Sequence, residues 1–392
     1  MQRLNSTYPI LLTSAFAALV LLLSAYPRFD KIRYFGAATL AVPADTVLAH
    51  TVDFRDTVAG STLYQVLSKE KYPLAYYREI RTGVCFDNKC RLLNVVLYWN
   101  PTGRYLGFEL PESEYLSKSD HEPFVAEEYQ RLHALLADSL SPLSTFSYNE
   151  IVPSTTPPNP DVDAVSSATA RAVLEYVVPG AAYTTYKLWH LLYGPAQEEV
   201  QRLTRQRLSP ELLLMMLDSP ALGDQIWALN HSRGYLEPSS ALRQRVLSFI
   251  DPRDYNLAER AINALSPPDL ESTSLQEVLL DKFQTGNHSL KKLLLTKLRE
   301  APALSTASQQ ALARQLTTLS GELVTSGLDL YQQQPTLDPA AGRVLSELLE
   351  NDNAYISKKA YQFFEKVPLQ DKLVQKRLGQ YRARHGLSGT SR

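Results

Sequence analysis

Four series of apolar residues recur at a spacing of 33 through the second half of the chain. Ile250, Phe283, Leu316 and Leu349 form one, and Val246, Leu279, Leu312 and Leu345 a second. Leu257, Leu290, Leu323 and Ile356 form a third, and Leu265, Leu298, Tyr331 and Phe364 a fourth. Leu213 and Leu217 carry the second and first series back by one unit. Inside each unit the apolar residues follow two helical patterns parted by a short polar turn, such as DPRDYN, QTGNH or ENDNAY. One hairpin of this kind cannot bury its own apolar face, whereas stacked neighbours can. Four series in phase therefore predict an α-solenoid of helical hairpins over residues 209–368, with the basic stretch 369–392 as its cap or tail.

The chain ahead of the repeats has a different grain. Residues 35–200 read as a mixed α+β domain. Leu93, Val95, Val96, Leu97, Tyr98 and Trp99 favour a strand, and PTGRYLGFELP reads as a glycine-punctuated turn into another. Val125, Tyr129, Leu132, Leu135 and Leu136 are spaced for a helix, and AAYTTYKLWHLLYG for a later one. VPSTTPPNPDV, at 152–162, is a proline-rich connector, after which a helix is expected to start near Ser166 and run through SATARAVLEYVV. The helical unit after residue 209 resembles a degenerate HEAT-type repeat, and that likeness is one of pattern only.

From Leu4 to Pro27 no residue is charged, which makes residues 1–27 either a signal peptide or a membrane anchor. Tyr8 and Tyr26 bracket the stretch as interfacial aromatics do, and the small residues of a cleavage site are badly placed, so the reading leans to an anchor. Flanking charge is nearly balanced, Arg3 with the α-amine against Arg28, Lys31 and Arg33 with Asp30.

With 392 residues, 44% hydrophobic and 21% charged, the chain can build a sizeable core. A net charge of −1 argues against a globally basic nucleic-acid binder. Two cysteines cannot by themselves hold a four-thiolate zinc or an iron–sulfur cluster. Walker A, His-Glu-x-x-His, Gly-x-Ser-x-Gly and Cys-x-x-Cys-His motifs are missing, and no hydrolase triad stands out.

The segment Asp163-Ala164-Val165-Ser166-Ser167-Ala168-Thr169 resembles the Asp-x-x-Ser-Gly-Ala-Thr motif of the FMN-binding domains found in Rnf and sodium-translocating NADH:quinone reductase complexes. Ser167 stands where that family has Gly. In the family a flavin transferase joins the FMN phosphate to the last Thr, outside the cytoplasm. The resemblance thus implies covalent FMN on Thr169, with Asp163, Ser166 and Ser167 beside it. Gly103, Leu106 and Gly107 stand where the family has a Gly-Leu-Gly loop, which adds Gly103 and Gly107 to the implied cofactor site. The residues themselves suit a phosphate. Ser166 or Ser167 is a good N-cap, and the free N–H groups and dipole of a helix start favour an anion. The plain alternative is an ordinary N-cap.

Cys85 and Cys90 flank a four-residue turn, where they form either a disulfide across a hairpin or two free thiols on a strand edge. Tyr183, Tyr186, Trp189 and Tyr193 read as core packing or as aromatic walls for a flavin, and the latter reading puts Thr169 in a cleft between them and the 84–108 strands. His121 and His190 read as ordinary loop and helix histidines, with flavin or proton contact as the alternative. Lys372, Lys376, Arg377, Arg382 and Arg384 read as a solvated face. Two functions follow. One is a membrane-anchored, periplasm- or exterior-facing electron carrier, not a substrate-converting enzyme, with a flavin transferase and an envelope redox protein as partners. The other is an exported scaffold with a flavin-free version of the same fold and a protein-binding solenoid.

Overall fold

The computed structural model describes residues 36–387 apart from 57, 59, 84–91, 119–120, 148–149, 151–174 and 238. The anchor or signal segment, Cys85, Cys90 and the whole Asp163–Thr169 motif lie outside the described residues. The chain divides into two compact units between Leu203 and Thr204.

The first unit is built on an antiparallel sheet in simple sequence order: β1 Thr46–Thr51, β2 Thr62–Leu67, β3 Pro73–Gly83, β4 Leu92–Trp99 and β5 Tyr105–Glu109. Alternation decides its faces. Tyr76, Ile80, Leu93, Val95, Leu97 and Trp99 point inward and are buried, in a register that sets Tyr76 opposite Trp99 and Ile80 opposite Val95. Two helices, α1 Ala126–Ala137 and α2 Ala182–Leu192, add Tyr129, Leu132, Leu136, Leu188, Trp189 and Leu192 to this core. The other face carries Tyr64, Tyr77 and Tyr98 side by side on three strands. The first two rings stack at 4.6 Å and 11°, and the third lies 5.7 Å from the second. Such cross-strand aromatic pairs stabilise a sheet, and here they occupy one another's ring faces.

One charge breaks the inner pattern. Arg78 is 1% exposed, between Tyr76 and Ile80. Its guanidinium holds Asp56 in a two-pronged pair at 2.8 and 3.2 Å, donates from Nε to the Gly60 carbonyl at 2.7 Å, and lies 3.7 Å over the Phe54 ring. Every contact falls in the β1–β2 connection, so the buried cation fixes that loop to the sheet.

Helix α3, Pro195–Arg205, follows α2. The second unit is then helical throughout its described residues. Its hairpins are α4 Pro210–Leu217 with α5 Leu222–His231, α6 Ser240–Ser248 with α7 Tyr255–Ala264, and α8 Thr273–Thr285 with α9 His288–Leu298. There follow α10 Thr306–Leu316 with α11 Gly321–Gln332, and α12 Pro339–Leu345, extended by a 3-10 turn at Ser346–Glu350, with α13 Ala354–Lys366. Helix α14, Lys372–Arg384, comes last. First helices pack on first helices, as α8 on α10 and α10 on α12, and second helices on second helices, α5 through α13. All four apolar series are buried: Ile250, Phe283, Leu316 and Leu349 are each 0% exposed. Capping keeps the same step. Ser239, Ser272, Ser305, Asp338 and Asp371 each accept from a backbone N–H at the start of a first helix, 33 residues apart, and Asp254, Asn287 and Asn353 do so for second helices. A cap of this kind contributes roughly 1 kcal/mol. On the basic α14, Val374, Leu378 and Tyr381 are buried.

Candidate functional site

The described part of the expected flavin site is the β4–β5 hairpin, α2 and the chain that leads into α2. The hairpin turn is organised by Asn100, whose side-chain oxygen accepts from the Thr102 N–H at 3.1 Å, the Thr102 hydroxyl at 2.8 Å and the Arg104 N–H at 2.8 Å. Gly103 follows with φ +82°, where glycine is at ease. Helix α3 lies over it. A Cβ on Gly103 would stand 2.8 Å from Cγ of Gln197, whose amide donates to the Gly103 carbonyl at 3.0 Å, while Gln201 donates to the Thr102 carbonyl at 3.0 Å. Glycine at 103 thus meets two local demands, the left-handed turn and the close approach of a helix. Gly107 is buried on β5 opposite Tyr98. The two glutamines escaped the sequence reading, although their spacing of four on a helix puts them on one face.

The aromatic segment separates into two halves. Trp189 and Tyr193 belong to the core and anchor their polar tips on backbone: Trp189 Nε1 donates to Asp138 O at 2.8 Å and the Tyr193 hydroxyl to Leu136 O at 2.7 Å. Trp99 of β4 donates to Leu192 O at 3.0 Å, so strand and helix are in direct contact. Between the 92–109 strands and α2, where the sequence reading set a cleft, the described inward side chains belong to one buried cluster. Apolar burial favours that outcome for rings whose single polar atoms all find carbonyls. Tyr183, Tyr186 and His190 keep part of their surface. The Tyr186 and His190 rings lie 4.2 Å apart, and His190 Nε2 is 3.2 Å from Leu143 O. Burial lowers the His190 pKa below the usual histidine range, which favours the neutral ring.

The chain that re-enters the described residues at 175 is not helical over 175–178, where the sequence reading carried the helix to Val178, and it is held at once. Arg131 of α1 donates to the carbonyls of Val177 at 3.2 Å and Glu175 at 2.9 Å. Gly180, at φ +74°, lies beneath the methylenes of Lys118, and the Lys118 ammonium pairs with Glu122 at 3.0 Å and Glu128 at 3.4 Å. His121 is exposed and takes a left-handed backbone, φ 66°, in the turn that Lys118 and Glu122 close. Arg131 and the contact of Lys118 with Gly180 gave no sequence signal, because each joins residues distant in sequence.

Among the described residues no three His, Cys, Asp or Glu side chains gather to hold a metal, and no helix is long and apolar enough to cross a membrane. Compared with family models, with curated proteins and with solved structures, the chain finds no match.

Proposed function

We propose that this protein is an envelope-anchored flavoprotein, facing the periplasm or exterior, that carries FMN as a phosphoester on Thr169 and relays electrons between a membrane partner and an extracytoplasmic one. The observation that carries the reading is the segment Asp163-x-x-Ser166-Ser167-Ala168-Thr169, followed by an apolar run of helical character. On this reading residues 35–200 form an FMN-binding-like domain and residues 209–368 a HEAT-like solenoid that docks a partner. When bound, FMN supplies one- and two-electron transfer, and the protein supplies position and potential. On this reading Ser166 or Ser167 would cap a helix beginning at the motif, and the free N–H groups of its first turn would offset the phosphate charge. Arg131 and Lys118 support the reading at one remove, because they fix the chain that follows the motif. On this reading the partly exposed rings of α2, Tyr183, Tyr186 and His190, are the aromatic surface offered to the flavin.

The test is intact mass after co-expression with a flavin transferase. The expected result is a gain of one FMN less a water, lost in Thr169→Val. A gain that survives Thr169→Val but disappears in Ser167→Ala moves the acceptor to Ser167. No gain in any variant refutes the flavin reading.

The second reading is an exported scaffold whose first domain keeps the fold without flavin. Ser167 in the glycine place of the motif, and the packed core behind α2, favour it. Colourless purified protein, made beside an active transferase, is its expected sign.

A further inference from the structure

Strand β1 is an edge of the sheet, and one row of its backbone groups looks outward. The ladder to β2 sets Thr46, Leu48 and His50 opposite Leu67, Gln65 and Leu63, and Val52 N continues that set by donating to Ser61 O at 2.7 Å. In an antiparallel pair the residues between such partners turn their N–H and C=O groups the other way. These are Val47, Ala49 and Thr51, all exposed, and no described residue hydrogen-bonds to their outward groups. Thr46–Thr51 holds no Asp, Glu, Lys, Arg or Pro, the residues that commonly keep an edge strand from pairing. The outer face beside this edge is open too. One row across the sheet reads Ala49, Tyr64, Tyr77, Tyr98 and Gly107. Tyr64 gives one ring face to Tyr77 and turns the other toward β1, where the residue opposite, Ala49, offers only a methyl group.

We propose that the free edge of β1 takes up an extended peptide as a further strand, with an arginine opposite Ala49 laid on the Tyr64 ring. Added antiparallel, such a strand exchanges backbone hydrogen bonds with Val47, Ala49 and Thr51. Its residue opposite Ala49 stands on the outer face, two strand spacings or about 10 Å from Tyr64. A Phe or Tyr ring, held on one methylene, stops above Ala49. The three methylenes of arginine carry a guanidinium across the Ala49 methyl to the free face of Tyr64, and its plane stacks there as an ammonium does not. Glu79, exposed two residues on from Tyr77 and on the same face, sets a negative charge nearby. A second copy of this chain is the poorer occupant, because β1 paired with itself about Ala49 sets methyl against methyl and leaves Tyr64 uncovered. The inference stands apart from the flavin reading and survives its failure.

The test uses the full chain in a non-ionic detergent and two fluorescein-labelled peptides, Thr-Val-Thr-Arg-Thr-Val-Thr and the same sequence with Lys for Arg, followed by fluorescence anisotropy. The expected result is saturable binding of the arginine peptide about fivefold or more tighter than of the lysine peptide. Ala49→Pro removes an outward N–H and leaves the ladder to β2 whole, since proline is tolerated on an edge strand where its nitrogen faces solvent. It lowers the affinity for both peptides by about tenfold or more. Tyr64→Leu abolishes the preference for arginine. Far-UV circular dichroism checks that each variant keeps its strands and helices. Equal affinity of the unaltered chain for the two peptides, undiminished binding in Ala49→Pro, or no saturable binding up to about 1 mM overturns the proposal. Dimers of the full chain that Ala49→Pro dissociates, seen by sedimentation, give the edge to a second copy and overturn it as well.

Discussion

Gln276 and Gln309 stand in the same place one repeat apart and make the same hydrogen bonds across the joint to the next hairpin. The amide nitrogen of Gln276 donates to Ala303 O at 2.9 Å and that of Gln309 to Thr336 O at 3.2 Å, in each case 27 residues ahead. The amide oxygens accept from Ser305 N and Asp338 N, 29 residues ahead, both at 2.9 Å. Each nitrogen also serves the loop before its own helix, at Leu270 O and Leu304 O. Both side chains are buried, so Gln276→Leu strands several backbone groups and should cost about 2–4 kcal/mol. Urea denaturation gives the value, and Gln309→Leu should match it to within about 1 kcal/mol.

Phe283 lies at 0% exposure in the first apolar series. Phe283→Ala is expected to destabilise the helical unit by about 3–5 kcal/mol. Thermal and urea unfolding check this, and a cost near zero would break the equivalence of the repeats.

Arg78→Ala removes the cation paired with Asp56 and the donor to the Gly60 carbonyl and should cost about 3–5 kcal/mol. Arg78→Met keeps most of the packing on Phe54 and should cost less. A double-mutant cycle with Asp56→Asn isolates the ionic part.

Gly103→Ala meets both a positive φ and the Gln197 side chain, and should cost about 1–3 kcal/mol. Adding Gln197→Ala should return part of that loss. Full stability in Gly103→Ala alone would leave a ligand as the reason for glycine there.

Asp371 caps α14 through Leu373 N and Val374 N and pairs with Arg343 at 2.7 Å. The Arg343 hydrogen bond holds its pKa below the usual aspartate range. A lowered folded pKa stabilises fully above about pH 4 and is lost as pH falls through the folded value. Amide exchange in α14 should therefore quicken from pH 4 downward relative to α8, and Asp371→Asn should remove that dependence.

The repeat was legible because burial of an apolar side chain repeats with the backbone that buries it. Ile250, Phe283, Leu316 and Leu349 needed no partner beyond their own series. The strand at 92–99 and the helix through Tyr129 and Leu132 were legible for a like reason, the period of their burial. Gln276 and Gln309 were not, since glutamine on a helix reads as solvated. Only their shared phase with the apolar series distinguishes them. Arg78 was hidden in the same way, its buried place visible only from the alternation of Tyr76 and Ile80. At the site, Gly103 was singled out by its likeness to a glycine loop, while Gln197, which crowds it, lies 94 residues away, beyond any local pattern.

The glutamine clamp has an exception. Where a third glutamine would fall, one step after Gln309, stands Gly342, and Leu369, 27 residues ahead of it, packs into the vacated space. The Leu369 carbonyl is served instead by Gln375 of its own unit at 2.8 Å, and the joint is tied across by the Arg343–Asp371 ion pair. Successive joints of the stack are thus made of different materials, backbone-directed amides in two and oil with charge in the third. Heat, acid and salt act differently on these. A rise in ionic strength weakens the Arg343–Asp371 tie between α12 and α14, and the pairs of Glu322 with Lys292 and His288 that cross from α9 to α11, and leaves the glutamine amide bonds as they were, so the solvent itself selects which ties of the stack give first.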